Sequence, residues 1–308
     1  MAAFEITLTT MIIFFFILAV GFVAGKIGTI KQEFMGSFSQ MITKIFLPAL
    51  IFYSTTSTTT RQMVLENYWV LIMAAGFYFM IAVVTWLLAR FMRLPHDKDR
   101  IFQFAFIFGN TAFVGMPLLA AVFPDYGLFF MCLFSFIDQL VFWTFGIWLS
   151  TARDRQAARF NPKKLLTPNI IAILLALAFV LLDILLPSII NNALGTISKA
   201  TGALCMLYLG AMICFSEFGT VLKRPEVYVG IAVKMVLLPI AIGLLLMQTP
   251  LPYEMIASMT LVIALPVMTV VPMIASANGH EGDYATGIAV VSFIACVVTI
   301  PLVAFVVL

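Results

Sequence analysis

Phe108-Gly-Asn-Thr-Ala-Phe-Val-Gly-Met-Pro-Leu-Leu119 is the stretch on which the reading of this chain turns. It lies within an apolar segment running from about Ile101 to Phe123, long enough to cross a bilayer. Gly109, Asn110, Thr111, Gly115 and Pro117 stand at its centre. Pro117 has no N–H and its ring clashes with the preceding turn, which argues against a continuous helix and for a break at this point. In hydrocarbon the freed backbone groups need partners, so such a break survives only inside protein or beside a wet cavity. A second interrupted stretch, Ile263-Ala-Leu-Pro-Val-Met-Thr-Val-Val-Pro-Met273, falls in the last but one apolar segment. Two interrupted spans in corresponding halves of a membrane protein point to a transporter's binding site.

The composition supports a membrane reading throughout. Of 308 residues, 63% are hydrophobic and 10% are charged, against roughly 25% charged residues in soluble domains. The mean hydropathy is +1.12. The chain therefore reads as an all-α polytopic membrane protein with little sequence left for a soluble domain. Cys132, Cys205, Cys214 and Cys296 all fall in apolar spans without the paired spacing of a metal or redox motif, and read as small packing residues. The first span is preceded by Glu5 instead of a basic region and runs on to about Ala24 without a small-residue cleavage site. It reads as a retained span, not a signal peptide.

At about 20 apolar residues per crossing, the sequence supplies ten spans, roughly 6–25, 35–56, 67–92, 100–123, 126–151, 168–186, 193–215, 226–248, 254–277 and 284–307. Their connecting charges test the count. One set of loops holds Lys26, Lys31, Arg90, Arg93, Lys98, Arg100, Arg153, Arg155, Arg159, Lys163, Lys164, Lys223 and Arg224, and the other set holds Arg61. The asymmetry places the first set in the cytoplasm and both termini outside. The longest loop contains Arg153-Asp-Arg-Gln-Ala-Ala-Arg-Phe-Asn-Pro-Lys-Lys164 and reads as a solvated topogenic linker beside anionic headgroups. It divides the chain into 1–151, a basic cytoplasmic linker 152–167, and 168–308. Each half has an odd number of spans, so any repeat between them must be inverted. Lys44 with Lys199, Tyr53 with Tyr208, Pro117 with Pro272 and Gly127 with Gly282 fall at one constant offset and support such a repeat.

The broken fourth and ninth spans run in opposite directions and are expected to cross near the midplane. Pro117 and Pro272 suit the first turn of each second half-helix, where a missing N–H does no harm. Half-helix N-termini carry partial positive charge and unpaired N–H groups, a favourable place for a carboxylate. Asn110 and Thr111 add side-chain donors, Gly109 and Gly115 let a ligand approach the backbone, and Thr269 is the polar side chain between Pro266 and Pro272. Plain proline kinks used for packing are the competing reading, and they leave the Asn-Thr pair unexplained.

Ionisable residues at membrane depth need a reason, since each costs about 2.5–3.5 kcal/mol near a helix centre. Asp138 sits mid-span in Ser135-Phe-Ile-Asp-Gln-Leu-Val-Phe-Trp143. It either binds a driving proton or cation, with Gln139 and Ser135 as neutral ligands, or forms a structural ion pair with Lys44 or Lys234. Lys44 has a second role open to it, pairing with an anionic substrate, whereas Lys234 reads as structural. Asp183 and Lys199 lie near span ends and can snorkel. His280-Glu-Gly-Asp283 has metal-ligand residue types but too few ligands for a site and reads as a solvated turn; no metal site and no cofactor are expected. An intramembrane enzyme would need a nucleophile and base or a carboxylate pair at one depth, and Asp138 and Asp183 lie at different depths. A channel would need charge rings that are absent from the spans. A sensor for a small carboxylate, binding without net transport, is the remaining alternative to a carrier. Nothing in the sequence suggests a nucleic-acid partner.

Gly109-Asn-Thr-Ala-Phe-Val-Gly-Met-Pro-Leu-Leu119 resembles the Asn-Thr…Gly-x-Pro-Leu-Leu signature of the auxin efflux carrier family, within the group that includes the bile acid sodium symporters. Asp138-Gln139…Trp143 is similar to that family's fifth-span pattern, and Ala264-Leu-Pro266 with Pro272 to its ninth-span crossover. The resemblance covers the chain end to end. It implies two inverted five-helix repeats, with the first, second, sixth and seventh spans as scaffold and the third to fifth and eighth to tenth as a moving, elevator-like domain. It also implies a homodimer in the cytoplasmic membrane. Plant members move auxin, an aromatic carboxylate, and bacterial relatives are linked to malate and malonate. The resemblance therefore implies a small organic anion as substrate, with H+ or Na+ as a coupling ion or with none.

Overall fold

The structure, a computed structural model, describes residues 2–124, 127–151, 167–216, 219–278 and 281–308. In chain order the first half holds α1 (Phe4–Lys26), α2 (Gln32–Ser57), the short α3 (Arg61–Glu66), α4 (Trp69–Phe91), α5 (His96–Ile107), α6 (Thr111–Val122) and α7 (Gly127–Leu149). The second holds α8 (Pro168–Leu181), α9 (Ser188–Phe215), α10 (Pro225–Leu246), α11 (Tyr253–Ala264), α12 (Val270–Ala277) and α13 (Gly282–Val307). Seven of these, α1, α2, α4, α7, α9, α10 and α13, are long and apolar enough to cross a membrane. They answer seven of the ten expected spans. The expected sixth span is only the 14-residue α8. The fourth and ninth are each split, into α5 with α6 and α11 with α12. Of the basic linker 152–167, all but Thr167 lies outside the described residues, as does His280.

The prolines act differently from the expectation. Pro117 does not open a half-helix; α6 already begins at Thr111, and a five-residue π turn, Thr111–Gly115, comes just before it. The same arrangement recurs in α2, where the π turn Ile42–Phe46 precedes Pro48, and in α10, where Val233–Leu237 precedes Pro239. A proline lacks the N–H that would close the turn and collides with the carbonyl four residues back. Widening that turn by one residue removes the collision, so the helix continues. Pro272 does sit in the first turn of α12, as its position suggested.

The true breaks, at 108–110 and 265–269, are held by each other. Gly109 and Val267 form an isolated antiparallel bridge, the only β pairing among the described residues. Asn110 N–H donates to Pro266 O at 2.7 Å, and Met268 N–H donates to Phe108 O at 3.0 Å. Ser292 of α13 accepts from Val267 N–H at 3.0 Å. Unwound backbone at the centre of an apolar bundle is tolerable because these groups find partners inside protein.

Around the breaks, packing is reciprocal. The first helix of each half lies along the second of the other, α1 on α9 and α8 on α2. Likewise α4 packs on α5 and on α7, while α10 packs on α11 and on α13. The α1–α9 pair is especially close: a Cβ on Gly210 would lie 1.9 Å from Leu18 O, and one on Gly21 2.2 Å from Leu207 O. Glycine at both positions lets the two backbones touch, as small residues do in membrane bundles. The outward face of α1 carries Ile12, Ile13, Phe16 and Val20, all exposed, as a lipid-facing surface requires.

Candidate functional site

The crossing of α5/α6 with α11/α12 gathers most of the residues singled out by the sequence. Asn110 is fully buried and caps α6, its side-chain oxygen accepting from Phe113 N–H at 3.0 Å. Its Nδ2 has no hydrogen-bond partner. Thr269, 3% exposed, leaves its Oγ1 unpartnered too. Both residues line a cavity of about 230 Å³, together with Lys44, Gln139, Trp143, Phe113 and Asn169. Asn169 Oδ1 is a third buried polar atom without a partner at this cavity. A buried polar group left unpaired costs roughly 1–3 kcal/mol, so several at one hollow mark a place prepared for a polar guest. At about 30 Å³ per water, the hollow is large enough for one small organic molecule.

The walls give that guest a character. Trp143, Phe113 and Phe142 supply apolar surface, and Lys44 supplies positive charge from an exposed position, steadied by a 2.8 Å bond from Nζ to Gln40 Oε1. Trp143 Nε1 donates to Gln139 Oε1 at 3.3 Å, fixing the amide on the cavity wall. Thr269 also lines a second hollow of about 210 Å³ with Tyr208, Ser216, Pro272 and Thr286. The start of α12 is thus flanked by open space on two sides.

Behind the cavity lies a carboxylate. Asp138 is fully buried and accepts from Tyr78 Oη, from Thr111 Oγ1 at 3.4 Å and from Gln139 Nε2 at 3.4 Å. Lys44 donates to Gln40 and Lys234 donates to Leu265 O at the α11 break; among the described residues neither forms a salt bridge with Asp138. Ser135, one turn before Asp138, is buried with its Oγ unpaired and does not join this network. Gly115 is not among the cavity's lining residues; a Cβ there would lie 2.7 Å from Leu265 Cδ1, so it serves the close crossing of α6 over the α11 break. Pro117 packs towards Gly202 of α9, and Pro266 contributes its carbonyl to Asn110 N–H.

Three participants escaped the sequence reading. Tyr78 looks like one more aromatic in a chain with eight tyrosines and 30 phenylalanines, and its partner lies 60 residues on. Ser292 is a single serine in an apolar helix. Asn169 is a polar residue directly after Pro168 at the start of the sixth expected span, a signal the sequence reading does not single out.

A bundle of membrane-length helices around two mutually paired breaks, with a polar-lined hollow at the crossing, defines a helical integral membrane transporter. The sequence profile of the family described as membrane transport protein matches residues 6–304, and the chain belongs to this family, the auxin efflux carriers. Among curated proteins it is similar to an uncharacterized transporter of Methanocaldococcus jannaschii, 25% identical over 214 residues, which cover 67% of this chain and 68% of the relative. It is also similar to an uncharacterized transporter of Methanothermobacter thermautotrophicus, 26% identical over 199 residues, 63% of this chain and 64% of the relative.

Proposed function

We propose that the protein is a secondary carrier that moves a small organic anion, a mono- or dicarboxylate such as malate, malonate or an auxin-like acid, across the cytoplasmic membrane. The observation that carries this reading is that Asn110 and Thr269, each with a buried polar atom left unpartnered (Nδ2 and Oγ1), both line one cavity that also has Lys44 on its wall. Asn110 Nδ2 and the Thr269 hydroxyl donate to a carboxylate, Lys44 neutralises it, and the N-terminus of α12 adds its partial positive charge. Trp143 and Phe113 accommodate the carbon skeleton. Asp138, with Gln139 and Ser135 close by, serves as the site at which H+ or Na+ couples to substrate.

The wider architecture in this reading is ten spans in two inverted five-helix repeats, 1–151 and 168–308. Its support is the recurrence of helix starts, Gln32 with Ser188, Trp69 with Pro225 and Gly127 with Gly282, at close to one spacing. The reciprocal packing of α1 on α9 and α8 on α2 adds to it. So does the bond from Thr201 Oγ1 to Phe46 O, 155 residues apart, as expected if equivalent positions of two inverted halves meet at a common axis. Helices α1, α2, α8 and α9 form the scaffold, and α4–α7 with α10–α13 form the body that carries the crossing through the membrane. The protein works as a homodimer, with both termini outside.

Purified protein in liposomes, offered labelled malate, malonate, succinate, lactate and indole-3-acetate under imposed pH and sodium gradients, tests the carrier reading. Saturable uptake of at least one acid is expected. Saturable binding of an acid with no flux would instead support a sensor.

A further inference from the structure

A hollow of about 780 Å³, more than three times the volume of the crossing cavity, lies between α4, α5 and α7. Its long wall is α4, from Ala75 through Phe79 and Val83 to Trp86, and Phe145 and Trp148 of α7 line it as well. Phe79, Val83, Trp86 and Trp148 are exposed, so this is an open groove on the lipid-facing surface. At about 1.5 Å per residue, Ala75 to Trp86 spans about 16 Å, close to half of the roughly 30 Å hydrocarbon core. The groove is as long as one leaflet is deep. Its two ends differ in character. The deep end holds the buried Tyr78, whose hydroxyl donates to Asp138. The other end is polar, with Asp99, Arg100 and Gln103 from the start of α5. There each tryptophan carries a guanidinium on its ring: Arg90 lies 5.9 Å from the centre of Trp86, and Arg100 4.5 Å from that of Trp148. Arg100 is held in place by donating to Thr151 O at 2.8 Å.

We propose that this groove is a binding site for one anionic phospholipid, with an acyl chain laid along α4 down to Tyr78 and the phosphate at Arg90 and Arg100. Any lipid-facing hollow fills with some lipid, and the charge at the mouth is what selects this one. Residues 90–100 hold four basic side chains, Arg90, Arg93, Lys98 and Arg100, against two acidic ones, Asp97 and Asp99, an excess of two positive charges. Basic residues at a membrane surface attract anionic lipids, and the planar fork of arginine matches phosphate oxygens. Tryptophan belongs at headgroup level, which sets Trp86 and Trp148 at the depth where the phosphate lies. A guanidinium already stacked on an indole is held at the mouth before the lipid arrives. In the topology proposed above, the mouth opens to the cytoplasmic leaflet. The acyl chain ends against the tyrosine that donates to Asp138, so the occupant backs the carboxylate from the side opposite Gln139, which lines the crossing cavity.

The test is made on the full-length protein in detergent and needs no transported substrate, so it stands apart from the carrier reading. Thermal unfolding is followed against added palmitoyl-oleoyl phosphatidylglycerol, the phosphatidylcholine with the same chains, and glycerol 3-phosphate. Phosphatidylglycerol is expected to give a saturable rise in Tm, as binding to the native state requires. Its half-effect is expected at about tenfold lower concentration than that of phosphatidylcholine, and glycerol 3-phosphate is expected to give no rise. Arg90→Gln, at an exposed position, is expected to fold and to weaken the phosphatidylglycerol response about fivefold, the effect of losing one basic residue. Ala82→Trp fills the groove midway and is expected to remove the saturable response; if it does not fold, Val83→Trp at the exposed wall takes its place. Equal responses to the two phospholipids would overturn the proposal, and so would an unchanged response in Arg90→Gln or in the filled variant. A rise with glycerol 3-phosphate equal to that with the lipid would overturn it too, since the groove would then play no part. In membranes, Val83→Cys in a background without the four native cysteines is expected to form no disulfide-linked dimer. A linked dimer would mean that a second copy covers the groove, and would contradict the lipid site.

Discussion

Asn110 divides its amide between structure and ligand. Its oxygen caps α6 through Phe113 N–H, and its nitrogen is left without a partner in a residue that lines the cavity. The two roles separate by substitution. Asn110→Ser keeps an oxygen acceptor for the cap but lacks the free amide donor; it is expected to stay folded, losing about 1–2 kcal/mol of stability, and to abolish anion uptake. Thr269→Val removes the second donor without changing shape and is expected to weaken half-saturation about tenfold, the effect of losing one charge-assisted bond of about 1.5 kcal/mol or more. Asp138→Asn is expected to end accumulation driven by an imposed ion gradient while leaving exchange of labelled for unlabelled substrate intact; accumulation in that variant would remove Asp138 from coupling. Asn110, Thr269 and Asp138 were legible in the sequence because polar side chains in hydrocarbon need a reason. Tyr78 was not, because an aromatic residue needs none there and only the fold brings its hydroxyl to Asp138.

At the scale of elements, the crossing is a backbone object, and its stability depends on groups that close the unwound segments. Ser292 Oγ is the acceptor for Val267 N–H and in turn donates to Ala289 O. Ser292→Ala leaves that N–H without a partner and is expected to cost about 1–3 kcal/mol, read as a lower Tm in detergent, with recovery in Ser292→Thr. Gly210→Ala would force a Cβ onto Leu18 O, and overpacking at such a contact is expected to cost about 1–3 kcal/mol or more. An unchanged Tm in both variants would mean that neither contact supports the bundle. The interrupted spans were readable from Gly109, Asn110, Pro266 and Pro272. The place of the first break was not, because Pro117 announces a missing hydrogen bond without saying how the chain absorbs it. A π turn absorbs it here and before Pro48 and Pro239, and the break falls at the glycine and asparagine seven to eight residues upstream.

For the whole molecule, the charges at the loops set the orientation expected of the carrier. In a variant with its four cysteines replaced, a membrane-impermeant maleimide applied to intact cells is expected to label Arg61→Cys and spare Lys223→Cys; the reverse pattern would invert the topology. Membrane class and family could be read from hydropathy and the Asn-Thr…Gly-Met-Pro motif, because both are local in sequence. The mutual pairing of two breaks nearly 160 residues apart was foreseen only as a crossing, since register between distant segments is fixed by the packing of everything around them. The central claim is that this crossing is where the organic anion binds. The most direct measurement is uptake of the transported acid into liposomes by wild type and Asn110→Ser, reconstituted at equal amounts after thermal unfolding has shown both to be folded. The account predicts saturable uptake by wild type and none above empty liposomes by the variant; equal uptake by the two would contradict it.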